Sequence, residues 1–196
     1  MQFKKVEKYI KDLLLNNLPK YLTYHGIVHT EKVLEASIVL AENENITNKS
    51  ELILLKTAAL FHDCGFIKTY NGHEDEGCKI AIRVLPDFGY SSDDIHTICN
   101  MIMATKLPQS PKNLLEEILC DADLYYLGSD SFESVTNKLL KEWIAIKKVH
   151  DENEFNLIQV GFLEAHHFWT KSAKKLRDKK KADHLKKLKI KLHQEL

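Results

Sequence analysis

An imidazole and a carboxylate stand near the end of the apolar run Ala58-Ala59-Leu60-Phe61-His62-Asp63-Cys64-Gly65-Phe66. Helical spacing aligns Leu55 and Ala59 with His62 and aligns Ala59 with Asp63, so both polar side chains border the predicted core. An ionised carboxylate is costly to bury unless it is paired or coordinated. The doublet therefore needs partners elsewhere in the chain.

Two more polar residues lie on the apolar stripes of predicted helices. His29 precedes Val33 by four residues, and Asp123 follows Leu119 by four. A single buried histidine is usually a packed core residue, and a single buried aspartate is usually a helix cap or half of an ion pair. No lysine or arginine at a matching helical position pairs with Asp63 or Asp123. The four polar residues together therefore indicate a shared ligand.

The donor set His29, His62, Asp63 and Asp123 is suited to one divalent cation. Nitrogen and oxygen ligands without a thiolate favour Mn²⁺, Fe²⁺, Co²⁺, Ni²⁺ or Zn²⁺, and also Mg²⁺ if water fills the remaining positions. An octahedral ion with four protein ligands keeps about two positions for a water and a substrate oxygen. The pattern is typical of a hydrolytic metal site.

The chain has only seven glycines and four prolines among 196 residues, and its apolar residues recur at intervals of three and four. This periodicity predicts an all-α fold with about eight helices. One domain over residues 1–196 is expected, with a motif-bearing core over about 24–128 and basic helices over about 154–196. Breaks between helices are predicted at residues 16–24, 43–50, 70–73, 86–92, 107–112, 128–131 and 149–154.

The formal net charge is zero, but residues 171–196 carry eleven Lys or Arg against three Asp or Glu. Leu185, Leu188 and Leu192 recur there at helical spacing, which favours the solvated face of a helix over a nucleic-acid-binding arm. Nucleic acid is therefore not the expected partner.

The four cysteines are widely spaced and form no C-x-x-C pair, and no apolar signal segment follows the first residue. These features favour a reducing cytoplasm. No apolar run approaches the roughly 20 residues needed to span a bilayer, so no membrane association is expected.

The ordered set His29, His62-Asp63 and Asp123 resembles the H…HD…D motif of the HD-domain superfamily of metal-dependent phosphohydrolases. The resemblance implies an HD-type helical bundle in which these four residues bind the metal. It also implies hydrolysis of a phosphate ester by metal-activated water, on a nucleotide or a similar small phosphomonoester or phosphodiester. The surrounding segments that carry the resemblance are Tyr24-His25, Ala58-Ala59-Leu60-Phe61, Gly65-Phe66, His73-Glu74 with Gly77, and Asp121-Ala122-Asp123-Leu124.

Beside Asp63, three residues are candidates for catalytic roles. His25 falls where the phosphodiesterase branch has a histidine that protonates the leaving group, although a surface turn residue is an equal alternative. Lys68 would offset phosphoryl charge if its loop folds over the metal, whereas an exposed lysine is the commoner outcome. His73 is expected to contact substrate or to contribute to a partial metal site. Asp121 is expected either to orient a ligand imidazole or to lie exposed at a helix end.

Two rival functions stay open. Some HD-fold proteins are di-iron oxygenases, but these need more ligands than the sequence offers, since residues 101–106 contain no histidine. One metal is therefore expected. The other rival is a metal-stabilised module that binds nucleic acid or protein. The expected partner is a small phosphorylated substrate, and the oligomeric state is left open.

Overall fold

The computed structural model describes residues 1–194, and its description of side chains ends at Leu192. Residues 195–196 of the predicted domain thus lie outside the described residues, and its boundaries stay a prediction. Within the described part the fold is all-α, as predicted, and no strand occurs. Residues 1–194 form nine α-helices, where about eight were expected: α1 Phe3–Asn17, α2 Ile27–Asn43, α3 Lys49–Phe61, α4 His73–Val84, α5 Ser92–Ala104, α6 Leu114–Asp123, α7 Phe132–Ala145, α8 Glu152–Ala165 and α9 Lys171–Gln194.

Side-chain caps fix where several helices begin. Asn48 accepts from the backbone N–H groups at the start of α3, and Asn113 and Asp151 do the same for α6 and α8. Ser91 and Asp94 form a reciprocal capping box at the start of α5. Each cap satisfies N–H groups that have no partner within the helix, so these starts are encoded locally.

The core is built around α3, which ends in the His62-Asp63 doublet. Phe61 and Leu60 at its end are fully buried, as are Ile98 and Ile102 from α5 and Ile118 from α6. A second, smaller cluster joins Tyr24 to the α7–α8 region through Leu139, Val149 and Phe155. This second cluster holds α7 against the segment that precedes α2.

A short 3₁₀ turn, Cys64–Ile67, follows the doublet and packs tightly against the start of α4. A Cβ atom at Gly65 would lie 1.9 Å from the carbonyl oxygen of His73 and 2.8 Å from the backbone nitrogen of Gly77. Only glycine permits this approach. The turn therefore holds Phe66 and His73 in a fixed relation beside Asp63.

The break that the sequence does not predict lies between α8 and α9. This segment, 166–170, contains neither glycine nor proline, but Phe168 is fully buried in the core. Trp169 and Thr170 donate to the carboxylate of Asp121 on α6. Tertiary contacts end α8 here, which explains why a local pattern shows no break.

The basic helix α9 lies against a 3₁₀ turn, Tyr125–Gly128, that follows α6. A Cβ at Gly128 would lie 2.3 Å from the carbonyl oxygen of Arg177, so this contact also requires glycine. Leu185 and Leu188 pack against the main core, in agreement with the predicted helical stripe. None of the described helices has the length and apolar character needed to cross a membrane.

Candidate metal centre

Four side chains from three helix ends meet at one point, as the sequence predicts. His29 Nε2 lies 3.2 Å from His62 Nε2, 3.1 Å from Asp123 Oδ1 and 3.3 Å from Asp63 Oδ2. His62 Nε2 lies 3.2 Å from the same Asp63 oxygen. Both imidazoles are buried within the core. Two ring nitrogens and two carboxylate oxygens thus face one another with little space between them.

The backbone fixes the tautomer of His62. Its Nδ1 lies 2.8 Å from the carbonyl oxygen of Ala59, one turn earlier. A carbonyl can only accept, so Nδ1 carries the hydrogen and Nε2 of the neutral ring presents a lone pair. Metal-binding histidines are commonly oriented by this kind of contact to the second ring nitrogen.

The donor atoms fit a divalent cation. His29, His62 and Asp123 each offer one ligand atom, and these atoms all lie within 4.8 Å of one another. The Oδ2 atom of Asp63 is buried and accepts no hydrogen bond from the described residues. A buried acceptor without a donor carries a substantial free-energy cost. A cation between these oxygens and the imidazole lone pairs would remove it.

Electrostatics couples the four groups. Burial alone would raise the pKa of Asp63, but the neighbouring charge of His62 and contacts with His29 and His73 hold that pKa well below its usual value. Burial opposes a charged His62, yet Asp63 and Asp123 raise the pKa of its ring well above the usual value. Protons and a cation therefore compete for the same ring nitrogens.

His73 contacts the other oxygen of Asp63. Its Nε2 lies 3.3 Å from Asp63 Oδ1 and 3.6 Å from Glu74 Oε1, and its Nδ1 donates to the carbonyl of Tyr70 at 3.2 Å. The ring stacks on Phe66 with centroids 3.9 Å apart. His73 is thus placed beside the four ligands, and its contact with substrate or metal stays a prediction.

Glu142 on α7 is a site residue that the sequence pattern does not predict. Its side chain is fully buried and pairs through Oε1 with Nδ1 of His25. Its carboxylate also accepts from the backbone N–H groups of Tyr24 and His25, at 3.0 and 3.1 Å, and from the hydroxyl of Tyr70 at 3.1 Å. Burial would raise the pKa of Glu142, but the hydrogen bond and charge of His25 and the two backbone N–H groups lower it, so the group is a carboxylate at neutral pH.

The pairing with Glu142 places His25 inside the site rather than on a surface turn. The side chain of His25 is 18% exposed, and its ring stacks on Phe66 at 4.4 Å. Phe66 therefore lies between two histidine rings, His25 and His73. One signal for Glu142 was available, because it lies three residues after the buried Leu139 on the same helical face.

Two other candidates lie away from the ligands. Lys68 is exposed at the end of the 3₁₀ turn, and its side chain makes no hydrogen bond or ion pair with the described residues. Asp121 was expected to orient a ligand imidazole or to be exposed, and both expectations are wrong. It is fully buried, and it accepts from Trp169 N at 2.7 Å and from Thr170 N and Oγ1 at 2.8 and 2.7 Å.

A cavity of about 740 Å³ opens beside His29 and Asp123. This volume is within the range of about 300–1,000 Å³ that is usual for small-molecule sites. Helices α2, α7 and α9 and the turn after α6 form its walls. It is lined by aromatic and aliphatic residues with several cations, including Tyr24, Val28, Tyr125, Tyr126, Lys138 and Arg177. The cavity gives a ligand direct access to the cluster.

The HD domain family model matches residues 26–127, which include all four predicted ligands, and the chain belongs to the HD-domain family. This confirms the resemblance drawn from the H…HD…D pattern. Among solved structures, the chain is similar to a predicted HD superfamily hydrolase from an uncultured Thermotogales bacterium. The TM-score is 0.63 and the identity 21%, over 95% of this chain and 91% of that one. At this identity the likeness concerns the fold. No curated protein matches the chain.

Proposed function

We propose that this protein is a metal-dependent phosphohydrolase that hydrolyses the phosphate ester of a nucleotide or a similar small molecule. The observation that carries the proposal is the buried Asp63 oxygen without a hydrogen-bond donor, which faces two imidazole nitrogens next to a cavity of ligand size. The similar solved structure, itself described as a predicted hydrolase, supports the same class of reaction.

The residues that would hold one cation are His29, His62, Asp63 and Asp123. Two carboxylates balance the charge of a divalent ion, and the donor types suit Mn²⁺, Fe²⁺, Co²⁺, Ni²⁺, Zn²⁺ or Mg²⁺. When bound, such an ion supplies Lewis acidity at a phosphoryl oxygen and makes water a better nucleophile near neutral pH.

His25 is the residue best placed to deliver a proton to the leaving group. Glu142 occupies its Nδ1, so Nε2 is the ring nitrogen left for transfer. The ring lies 5.9 Å from that of His29, centroid to centroid, and Phe66 fixes its plane. A positioned histidine of this kind contributes roughly 100-fold to 10,000-fold to a reaction that needs proton transfer.

His73 and Lys68 have smaller parts in the proposal. His73 lies beside Asp63, where it would contact the substrate or contribute to a partial second cation site. Lys68 is exposed, so a contact with phosphoryl oxygens requires the loop after Ile67 to fold over the cluster. Titration of bound metal by elemental analysis tests the expected stoichiometry of one ion per chain.

The function is tested with metal-stripped protein reconstituted with each of the six cations and assayed on phosphomonoesters and phosphodiesters. Hydrolysis is expected with at least one cation. In Asp63→Ala the rate of hydrolysis is expected to fall by about 1,000-fold or more, because loss of the ion removes several kcal/mol of transition-state stabilisation. Asp12→Asn, at an exposed pair with Lys8 on α1, is the control and should match the native protein.

Three results would overturn the proposal. Unchanged hydrolysis in Asp63→Ala would remove the catalytic assignment, and salt-sensitive nucleic-acid binding would then favour the binding module. Two irons per chain, oxygen-dependent turnover and no phosphatase activity would favour the oxygenase. Absence of hydrolysis with all six cations on the whole panel would also contradict it.

A further inference from the structure

Arg177 is a charged side chain on α9 with few partners of its own. Its guanidinium carbon lies 3.8 Å from the centroid of the Tyr125 ring, and Nη1 donates to the carbonyl of Gly128 at 3.2 Å. Its Nε is buried and meets no acceptor among the described residues. No carboxylate within the described range forms an ion pair with it. A guanidinium does not lose its proton in proteins, so the charge is fixed. Asp130 also lines the cavity, but its carboxylate pairs with Lys180, and Arg177 contributes only a weaker lowering of the Asp130 pKa.

The backbone holds this charge in place. Gly128 approaches the backbone of Arg177 so closely that a Cβ there would lie 2.3 Å from the Arg177 carbonyl oxygen. The same 3₁₀ turn begins two residues after the ligand Asp123. A short, tightly packed segment therefore connects the cation cluster to Arg177.

Arg177 and the cation ligands line the same cavity. His29 and Asp123 lie on its walls, and Arg177 and Lys138 contribute positive charge to it. Lys32, which also lines the cavity, is already paired with Glu35 at 2.7 Å. Between the charged groups the walls are largely apolar and aromatic. A ligand with one anionic group at the cluster and another at Arg177 would match this distribution.

We propose that Arg177 forms an anion subsite in this cavity and that the substrate is a phosphate ester whose organic part carries a second anionic group, a carboxylate or a phosphate. The inference rests on the proposed function, since it assigns the scissile phosphate to the cation cluster. The planar guanidinium, held by stacking and one hydrogen bond, is suited to two parallel hydrogen bonds to either group.

The kinetic test compares matched substrates. Phenyl phosphate and 4-carboxyphenyl phosphate differ by a carboxylate, and a nucleoside 5′-monophosphate and its 3′,5′-bisphosphate differ by a phosphate. The site is expected to recognise the second anionic group of one of these pairs. For the doubly anionic substrate of that pair, Arg177→Gln is expected to raise KM about 10-fold to 100-fold, the range for a charge-assisted hydrogen bond. The singly anionic member should change less than about twofold. Lys175→Gln, at an exposed lysine on the same helix, is the control.

A binding test works without turnover. Native protein is loaded with the most active cation, or with Mn²⁺ if none is active, and binding is measured by calorimetry. Phenylphosphonate and 4-carboxyphenylphosphonate test a carboxylate as the second anionic group. The 5′-phosphonate analogues of the two nucleotides test a phosphate in the same way. Native protein should bind the doubly anionic member of one pair at least tenfold more tightly, and Arg177→Gln should bind both members equally. Arg177→Lys keeps the charge and the aliphatic stem, so it supplies a folded comparison and should retain part of the preference.

The outcomes separate the two proposals. Hydrolysis of the panel without any preference for doubly anionic esters would overturn the subsite and leave the phosphohydrolase intact. A phosphonate preference that disappears in Arg177→Gln, with no ester hydrolysed, would support the subsite and contradict the phosphohydrolase. A preference that is unchanged in both Arg177 variants would also overturn the subsite.

Discussion

Asp63 and Glu142 are both buried carboxylates beside a histidine, but the protein satisfies them differently. Glu142 accepts two backbone N–H groups, a tyrosine hydroxyl and the ring of His25. Asp63 Oδ2 accepts no hydrogen bond within the described residues and faces two imidazole nitrogens at 3.2 and 3.3 Å. The first cluster is complete as a set of protein groups. Around Asp63 the acceptor oxygens and imidazole lone pairs outnumber the hydrogen-bond donors, and a bound cation would coordinate them.

The largest expected difference concerns metal affinity. Asp63→Asn should weaken cation binding by more than about 100-fold, because it removes a charged ligand. Loss of a group that only orients a ligand weakens metal affinity by at most about that factor. The thermal stabilisation that the cation gives to the native protein should fall with the affinity, because a bound ion stabilises the folded state by an amount that grows with the logarithm of its concentration relative to Kd. Competition with a chelator and thermal unfolding with and without cation measure both effects. Asp12→Asn is again the control, and native-like affinity in Asp63→Asn would contradict the ligand assignment.

Glu142→Gln should show the reverse pattern. Its amide cannot accept all the donors that surround Glu142, so the free energy of unfolding should fall by about 2–3 kcal/mol with or without cation. Hydrolysis should fall by about 100-fold, because His25 loses the group that orients it. Urea unfolding and kcat on a good and a poor leaving group are the measurements.

Cation affinity should stay within about threefold of native in Glu142→Gln, because Glu142 makes no contact with the four ligands. A leaving group of low pKa needs no proton, so the loss of kcat should be smallest for that ester. An equal loss for both esters would show that Glu142 acts only through the fold.

The smallest expected effect is a pH dependence of stability. The native pKa of Glu142 is lowered from an ordinary value of 4.5, so the carboxylate stabilises the native state fully above that pH. This contribution is lost as the pH falls below 4.5 through the lowered native value. The difference in unfolding free energy between native protein and Glu142→Gln should therefore shrink as the pH falls below 4.5. Urea unfolding at each pH measures it, and a constant difference down to pH 3 would contradict a charged Glu142.

The four residues of the candidate metal centre were predictable because each lies on a local apolar stripe. His29 and Asp123 fall one turn from a buried apolar residue, and the H…HD…D order of the family adds to that spacing. Glu142 also lies on a buried stripe, but its partner His25 is 117 residues away, and no local pattern encodes such a distance. For the same reason Asp121 was misassigned, since its partners come from the segment before α9.

Arg177 illustrates a different limit of sequence patterns. Its helix carries many basic residues, and most of them are exposed, so the composition of the segment cannot single out one of them. What distinguishes Arg177 is the close approach of Gly128 and the ring of Tyr125, both contributed by a turn about 50 residues earlier.

Gly128, which contacts α9, lies between the residues proposed to hold the cation and the helix that carries the proposed anion subsite. All four residues proposed to hold the cation lie before Gly128, whereas Lys138 and Arg177, which contribute positive charge to the cavity, lie on helices that follow it. On the proposed function, substitutions at Arg177 on α9 would change which ester is accepted and would leave the residues proposed to hold the cation unaltered. Relatives with the same H…HD…D residues and a different α9 would be expected to act on different substrates, so the sequence of this helix is the place to look for divergence within the family.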